Sequence, residues 1–203
     1  MKNNPSFLIK TLITCLVLIF VLSIYFSFMF LKNNKTKEIF DKTIVFENSF
    51  SLIDHNGNNF SELNLFEKPS ILFFGFTNCP EICPTTLYDI SRWKEIIGEK
   101  SKKLNTFFVT LDPKRDTQNL LKNYLSNFDN IIGITGKENE IIQFSKSWGV
   151  YRKIISHNNN YSLDHTATIF LIDKKKRLQG TISFGENDKI AIKKINNLLK
   201  TKL

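Results

Sequence analysis

The sequence predicts an α/β fold, a three-layer sandwich with a mixed central sheet, preceded by one N-terminal transmembrane helix. Short apolar segments of strand length alternate with segments of helical periodicity, which is typical of helices packed on a sheet. The chain then closes with an apolar hairpin and a lysine-rich amphipathic helix at 187–203, which makes a mixed sheet the expected outcome. The 203 residues suffice for one membrane anchor and one domain of ordinary size.

The N-terminal apolar segment, residues 11–31, contains no charged residue and reads TLITCLVLIFVLSIYFSFMFL. Its length allows a helix to cross a bilayer. A cleaved signal peptide is the alternative, but no small-residue cleavage site follows, and the apolar stretch is longer than a usual signal core. We therefore expect an uncleaved anchor, after a short tail at 1–10 and before a basic linker at 32–42. The folded domain is expected to occupy residues 43–203.

The charges that flank this segment do not place the domain outside the cytoplasm. Lys2 and Lys10 precede the segment, whereas Lys32, Lys35 and Lys37 follow it. Because lysine-rich flanks tend to stay on the cytoplasmic side of a membrane, this distribution leans toward a cytoplasmic domain.

The formal net charge of +9 raises the question of a nucleic-acid partner. The lysines are spread over the chain, however, and no arginine-rich or aromatic-interleaved patch is present. Asparagine is as conspicuous as lysine, so a general compositional bias explains the charge better. The composition therefore predicts a solvated basic surface and no nucleic-acid partner, with the linker lysines available to attract anionic lipid.

Hydrophobic patterning predicts the elements of the domain. The apolar segment Ile71–Phe74 has the composition of a strand that is buried on both faces. The alternating segment Phe50–Asp54 is followed by a hairpin turn at 55–58. Further strands are predicted at 106–111, 131–135, 166–173 and 178–184, a hairpin at 150–155 and 161–163, and helices at 79–93, 116–128, 136–148 and 187–203.

Two cysteines, Cys79 and Cys83, lie where the buried central strand passes into the next helix. Three residues separate them, so they are expected one helical turn apart on the same face. The unpaired N–H groups and partial positive charge of a helix N-terminus favour thiolate over thiol, and Pro84 fits the first turn. The third cysteine, Cys15, is expected to be a small buried residue of the apolar segment.

A structural disulfide is the simplest alternative for this pair in an oxidising compartment. A bridge that closes so small a loop removes little conformational entropy from the unfolded chain, so it would stabilise the fold only slightly. The pattern therefore favours a site for soft-metal binding or thiol redox chemistry.

The chain has three histidines, of which one stands in a position to join the cysteines. His55 lies in a polar turn and His157 in an asparagine run, so both are expected to face solvent. His165 stands at the mouth of the apolar strand 167–172, which a sandwich of this kind places beside the central strand. A satisfied structural histidine is the alternative. Two thiolates and one imidazole suit Cu(I), and Cu(II) with an added oxygen or nitrogen ligand.

The chain resembles the Sco/SenC family in four stretches, FFGFTNCPEICPTTL, FFVTLDPKRDT, IIGITG and DHTATIFLID. These are membrane-anchored copper proteins with a thioredoxin-like fold, which assemble the dinuclear copper centre in subunit two of cytochrome c oxidase. The resemblance spans residues 49–200 and implies copper ligands at Cys79, Cys83 and His165. It also implies an inner-membrane protein whose domain faces the periplasm, or the intermembrane space in a eukaryote. The implied partner is subunit two or another copper-receiving protein.

The sequence departs from the family pattern in minor ways. Where the family commonly has an Asp or a short turn with Gly after the DHTAT strand, this chain has DKKKR at 173–177. That difference affects the hairpin tip and any docking surface there, but not the metal site. The segment 112–116, DPKRD, lies at a strand end near the site, where a turn and a helix cap explain it without a catalytic role.

Two functions are compatible with this constellation. A copper metallochaperone would hold the metal with Cys79, Cys83 and His165 and pass it to the thiols of a partner without chemical turnover. A thiol–disulfide oxidoreductase would attack a partner disulfide with Cys79 and resolve the mixed disulfide with Cys83. A peroxiredoxin-like peroxidase is a weaker third, because Phe76 stands where its Thr-x-x-Cys pocket needs threonine. His165 separates the first two, since only metal binding requires it.

Overall fold

The computed structural model describes residues 5–40, 50–157 and 160–200. The chain divides into two compact units, Met1–Lys42 and Thr43–Leu203. In the first unit, helix α1 spans Pro5–Phe40, so it extends beyond the predicted anchor into both the tail and most of the linker. Its stretch Leu12–Phe30 is long and apolar enough to cross a membrane. Cys15 is exposed on this helix and not buried as expected.

The second unit contains nine strands and five α-helices within the residues that the structure describes. The predicted alternation of strands and helices is confirmed, with shifts at the ends of several elements. The bounds are β1 Leu52–Asp54, β2 Asn59–Phe60, α2 Glu62–Phe66, β3 Ser70–Gly75, α3 Ile82–Ile97, β4 Asn105–Thr110, α4 Gln118–Leu125, β5 Ile132–Thr135, α5 Glu138–Ser147, β6 Arg152–His157, β7 Asn160–His165, β8 Thr168–Ile172, β9 Leu178–Ser183 and α6 Asp188–Lys200.

The sheet is mixed, as predicted, with strand order β2-β1-β5-β4-β3-β8-β9. The central strand β3 pairs in parallel with β4 on one side and antiparallel with β8 on the other. Strand β4 pairs in parallel with β5, and the helices α3 and α4 make the two crossovers that parallel pairing requires. Strands β6 and β7 form a separate two-stranded hairpin that runs directly into β8.

Aromatic side chains of the sheet show that helices cover both of its faces. Phe73 of β3 packs against Phe108 of β4, with ring centroids 5.9 Å apart, and Tyr124 of α4 packs on the same Phe108. The next residue, Phe74, points to the opposite face and meets Phe144 of α5 at 5.9 Å. Both phenylalanines of β3 are completely buried. The layers are therefore helix, sheet and helix, with β3 in the middle of the core.

A carboxylate on the last helix holds α3 in place. Asp188 of α6 accepts hydrogen bonds from Arg92 at 2.6 and 2.7 Å and from the Trp93 indole at 2.8 Å. These bonds lower the pKa of Asp188 to about 2, so the carboxylate is ionised at neutral pH. The helix that begins next to the cysteines is thus tied to the start of α6 at Arg92 and Trp93.

His55 is half-buried, so the expectation that it faces solvent is wrong. Its Nδ1 accepts a hydrogen bond from the Gly133 N–H at 2.9 Å, which ties the turn after β1 to strand β5. Burial lowers the pKa of His55, in keeping with a neutral imidazole. The side chain of His157 lies outside the described residues, as do residues 201–203 at the end of the predicted last helix.

Candidate metal centre

The two cysteines flank the start of α3 and do not both lie on it. Strand β3 ends at Gly75, and helix α3 begins at Ile82 with Glu81 as its N-cap residue. Cys79 therefore lies in the connecting loop, while Cys83 lies in the first helical turn. This corrects the prediction of a helix from residue 79. The N–H of Cys83 donates to the Cys79 sulfur at 3.4 Å, so the helix N-terminus still stabilises negative charge there.

His165 is the last residue of β7 and reaches the cysteines because the next strand pairs with β3. In that antiparallel pair Ile169 of β8 lies opposite Phe73, so the chain just before β8 reaches the end of β3 from which the cysteine loop leaves. The Nε2 atom of His165 lies 3.7 Å from the sulfur of Cys83. The structure thus brings together the three residues that the sequence singled out.

The ring of His165 is oriented by two neighbours. Its Nδ1 lies 2.9 Å from the carbonyl oxygen of Thr166. Because a carbonyl oxygen can only accept, Nδ1 donates its proton there, and Nε2 is the ring nitrogen that faces the sulfurs. The ring of Phe76 packs edge-on against the imidazole at 5.6 Å. The histidine is therefore held in the tautomer that a metal ligand needs.

The donor set fits a soft metal. The two sulfurs and Nε2 of His165 all lie within 4.8 Å of one another, and no other such group of His, Cys, Asp or Glu occurs in the described part of the chain. Three ligands at bond lengths of about 2.0–2.3 Å in a trigonal arrangement are separated by roughly 3.8 Å. A small contraction would therefore complete the site. Thiolate and imidazole ligands together suit copper in its monovalent state.

The two cysteines are free thiols with opposite acidities, so the structural disulfide is not the state that the structure shows. A hydrogen bond from the Cys83 thiol is the main cause that lowers the pKa of Cys79 to about 4, and the His165 imidazole and the N–H groups of Cys83 and Glu81 add to this effect. The same hydrogen bond, burial and the nearby thiolate charge raise the pKa of Cys83. Binding of a metal by both sulfurs at neutral pH must therefore release the Cys83 proton.

Gly75 allows the Cys83 sulfur to pack against the end of β3. A Cβ atom at this position would lie 2.6 Å from the sulfur of Cys83 and 2.7 Å from the ring of Phe108. Both neighbours are completely buried, so neither can move away freely. The sequence marks Gly75 only as the start of a turn, and the need for a missing side chain becomes visible in three dimensions.

We expect Gly75→Ala to displace the Cys83 sulfur, weaken Cu(I) binding and lower the free energy of unfolding by about 1–3 kcal/mol, as overpacking typically does. Chelator competition measures the first effect and urea denaturation the second. Gly180→Ala in β9 is the matched control, because a Cβ atom there meets nothing within 4 Å. Copper affinity equal to wild type in Gly75→Ala would show that the close packing is not needed.

Asp116 lies near the site, and the sequence offers either Asp116 or Thr117 as the cap of the helix that follows. The predicted helix cap is provided by Thr117, which accepts a hydrogen bond from the Leu120 N–H at 3.3 Å. Asp116 is instead fully buried and bound to Thr77, which stands two residues before Cys79. An aspartate just before a helix has the same local signature in both cases, so the sequence alone could not separate a cap from a contact 39 residues away.

The mixed sheet, the cysteine pair at a strand-to-helix junction and the converging histidine define a thioredoxin-like protein with a dithiol–imidazole site. Comparison with known proteins identifies the family. Residues 40–200 match the family model described as SCO1/SenC. The chain therefore belongs to the SCO1/SenC family, as its four sequence stretches predict.

Relatives from bacteria and mitochondria share this domain. The chain is 39% identical over 143 residues to an SCO2-like protein of Rickettsia prowazekii, covering 68% of this chain and 70% of that protein. It is 35% identical to mitochondrial SCO2 of Saccharomyces cerevisiae over 74% of this chain, and it spans 52% of that longer protein. The structure of Bradyrhizobium japonicum ScoI with copper bound resembles it with a TM-score of 0.70 at 35% identity, covering 76% of this chain and 99% of that one.

Proposed function

We propose that this protein is a membrane-anchored copper metallochaperone that delivers copper to the dinuclear copper centre in subunit two of cytochrome c oxidase. The observation that carries the proposal is the convergence of two sulfurs and one imidazole nitrogen within 4.8 Å. Cys79, Cys83 and His165 are the proposed ligands, and copper is the cargo. The copper-bound structure of a bacterial relative supports this choice of metal.

The burial of the ligands favours transfer by ligand exchange. Cys83 is completely buried, whereas Cys79 and His165 are only partly buried. A thiolate of a partner can therefore approach copper from the side of Cys79 and His165, while the buried sulfur of Cys83 stays bound to the metal. Because each exchange replaces one soft ligand with another, copper can pass between proteins without entering solution.

The family resemblance supports the proposed partner and location. The Sco family is one of cytochrome c oxidase assembly proteins. The apolar stretch Leu12–Phe30 supports a single-pass anchor in the inner membrane. A copper acceptor that folds outside the cytoplasm requires the domain to face the periplasm, or the intermembrane space in a eukaryote, although the flanking lysines lean the other way.

Transfer between purified proteins tests this function. The full chain in detergent, loaded with one equivalent of Cu(I), is mixed with the copper-free, reduced acceptor domain of subunit two, and copper in each protein is measured after separation. We expect faster transfer than from a small chelator of equal Cu(I) affinity, because docking aligns the ligands. A rate no higher than that of the chelator would contradict a chaperone role.

A thiol–disulfide oxidoreductase is the second candidate, and the acidity of Cys79 favours it. The Cys79 thiolate would attack a partner disulfide and form a mixed disulfide, and Cys83 would then attack the Cys79 sulfur and release the reduced partner. The protein ends oxidised by two electrons and the partner reduced by two. If the oxidised acceptor is reduced at the same rate by wild type and by His165→Ala, the reaction needs the two cysteines but not the third metal ligand.

A further inference from the structure

The loop between β4 and α4, residues 111–116, contacts both segments that carry the proposed ligands. Its Asp116 is completely buried, and its carboxylate accepts three hydrogen bonds. Thr77 provides two of them, from its hydroxyl at 2.6 Å and its backbone N–H at 3.0 Å, and the Thr110 hydroxyl provides the third at 2.6 Å. A buried carboxylate is costly unless it is fully paired, so this arrangement requires a specific partner.

Thr77 belongs to the cysteine loop, and its double contact with Asp116 restrains the path of that loop. Both its side chain and its backbone are held by one carboxylate that sits at the end of the sheet. The adjacent Phe76 carbonyl accepts a hydrogen bond from the Cys79 N–H at 3.2 Å, which forms the turn that follows. The position of the Cys79 sulfur therefore depends on a chain of contacts that begins at Asp116.

The other end of the same loop holds the hairpin that carries His165. Asp112 accepts a hydrogen bond from the Tyr161 hydroxyl at 2.7 Å, and Tyr161 lies in β7, four residues before the histidine. The Leu111 carbonyl accepts from the Arg152 guanidinium at 2.7 Å, and Arg152 is the cross-strand partner of His165. Both strands of the hairpin are thus attached to the loop.

Arg115 completes this attachment from the loop side. Its guanidinium bonds to the Asp112 carboxylate, donates to the Tyr161 carbonyl at 2.9 Å and stacks on the Tyr161 ring at 3.9 Å. The hairpin β6–β7 is a separate sheet and, in the part of the chain that the structure describes, is not paired with the main sheet by backbone hydrogen bonds. These side-chain contacts therefore attach the hairpin to the rest of the domain.

We propose that the 111–116 loop is a positioning element for the metal site. Asp116 fixes the position of Cys79, and the hydrogen bond between Asp112 and Tyr161 fixes the position of His165. The proposal rests on the proposed copper-binding function wherever it concerns His165 or a Cu(I) affinity, whereas the effect of Asp116 on Cys79 is also measured without metal. The two contacts act on different ligands, so they have separable effects. Neither carboxylate touches the ligand atoms, and both act through another residue.

Asp116→Asn tests the first half. Asparagine fills the same volume but has one acceptor oxygen in place of two, so it cannot accept all three hydrogen bonds in the same geometry. In the copper-free full chain in detergent, we expect iodoacetamide alkylation of Cys79, followed by peptide mapping, to become about 2- to 5-fold faster as the loop loosens. Cu(I) affinity is expected to fall about tenfold, as for other residues that orient ligands.

Asp173→Asn is the matched control for loss of a buried carboxylate. Asp173 is 2% exposed, accepts from the Lys175 and Arg177 N–H groups, and follows β8 at the end of the sheet remote from the cysteines. Asp173→Asn should lower the free energy of unfolding without changing the alkylation rate of Cys79 or the Cu(I) affinity. Equal changes in both aspartate variants, or none in Asp116→Asn, would overturn the proposal. If Asp116→Asn does not fold, Thr77→Val is used instead, because it removes the hydrogen bond from the Thr77 hydroxyl. It must also speed alkylation of Cys79 and lower Cu(I) affinity, each by a smaller factor.

Tyr161→Phe tests the second half, with Tyr88→Phe on the exposed face of α3 as its control. We expect Tyr161→Phe to lower Cu(I) affinity about tenfold and to leave the alkylation rate of Cys79 unchanged. In a double-mutant cycle with His165→Ala, the effect of Tyr161→Phe on copper affinity should vanish, because it acts through the histidine. Additive losses would overturn this half. If wild type binds no copper while the Asp116 variants alter alkylation, the proposed function fails and the role of Asp116 stands.

Discussion

Replacement of either Cys79 or Cys83 by serine is expected to abolish tight Cu(I) binding. Each substitution exchanges a soft thiolate for a hydroxyl that stays protonated, leaving one sulfur and one imidazole. Loss of residues that merely orient ligands costs about 10- to 100-fold in affinity, so loss of a ligand should cost more than about 100-fold. The full chain in detergent, titrated against a Cu(I) chelator, gives the affinity directly.

The control for the cysteine variants is Cys15→Ser, which removes the thiol of α1 and should leave affinity and stoichiometry at one copper per chain. The two active-site variants should differ in one respect. Cys83→Ser replaces the thiol that donates to Cys79 with a hydroxyl on a shorter bond, which lies farther from the Cys79 sulfur, so the pKa of Cys79 should rise from about 4. Retention of tight binding by either single variant would rule out a two-sulfur site.

His165→Ala is expected to weaken Cu(I) binding by more than about 100-fold while leaving the reduction potential of the cysteine pair within about 30 mV of wild type. The imidazole supplies the third metal ligand, with Nε2 at 3.7 Å from the Cys83 sulfur. Thiol–disulfide exchange needs only the two sulfurs, and the main cause of the acidity of Cys79 is the Cys83 thiol. Chelator competition and equilibration with glutathione buffers measure the two quantities.

His55→Asn serves as the control for loss of an imidazole. His55 follows β1, near the far edge of the sheet, and an asparagine oxygen can still accept the hydrogen bond from Gly133. Both copper affinity and reduction potential should stay at wild-type values. Wild-type copper affinity in His165→Ala would refute the ligand assignment, and a large shift in potential would show that the histidine acts mainly on the thiols.

Local patterning was sufficient for most elements but not for the start of α3. The apolar segments predicted β3, β4 and β8, and the hairpin β6–β7 was found from its polar loop. The predicted helix began three residues too early. Cys79 precedes Pro80, and the helical conformation is disfavoured for a residue before proline, but Cys83 also precedes a proline and is helical, so this signal did not fix the boundary. Helix boundaries depend on such steric details, which periodicity does not contain.

By itself the sequence determined the class of fold, the two thiols at a strand-to-helix junction, and the histidine at the head of the strand that pairs with β3. These follow from local spacing and from alternation of apolar and polar residues. Only the tertiary structure decided that Gly75 must lack a side chain, and that Thr117 caps α4 while Asp116 binds Thr77. Such contacts join residues that are far apart in the chain. The spacing of apolar residues indicates which face of an element is buried, but it does not indicate which buried side chains contact each other.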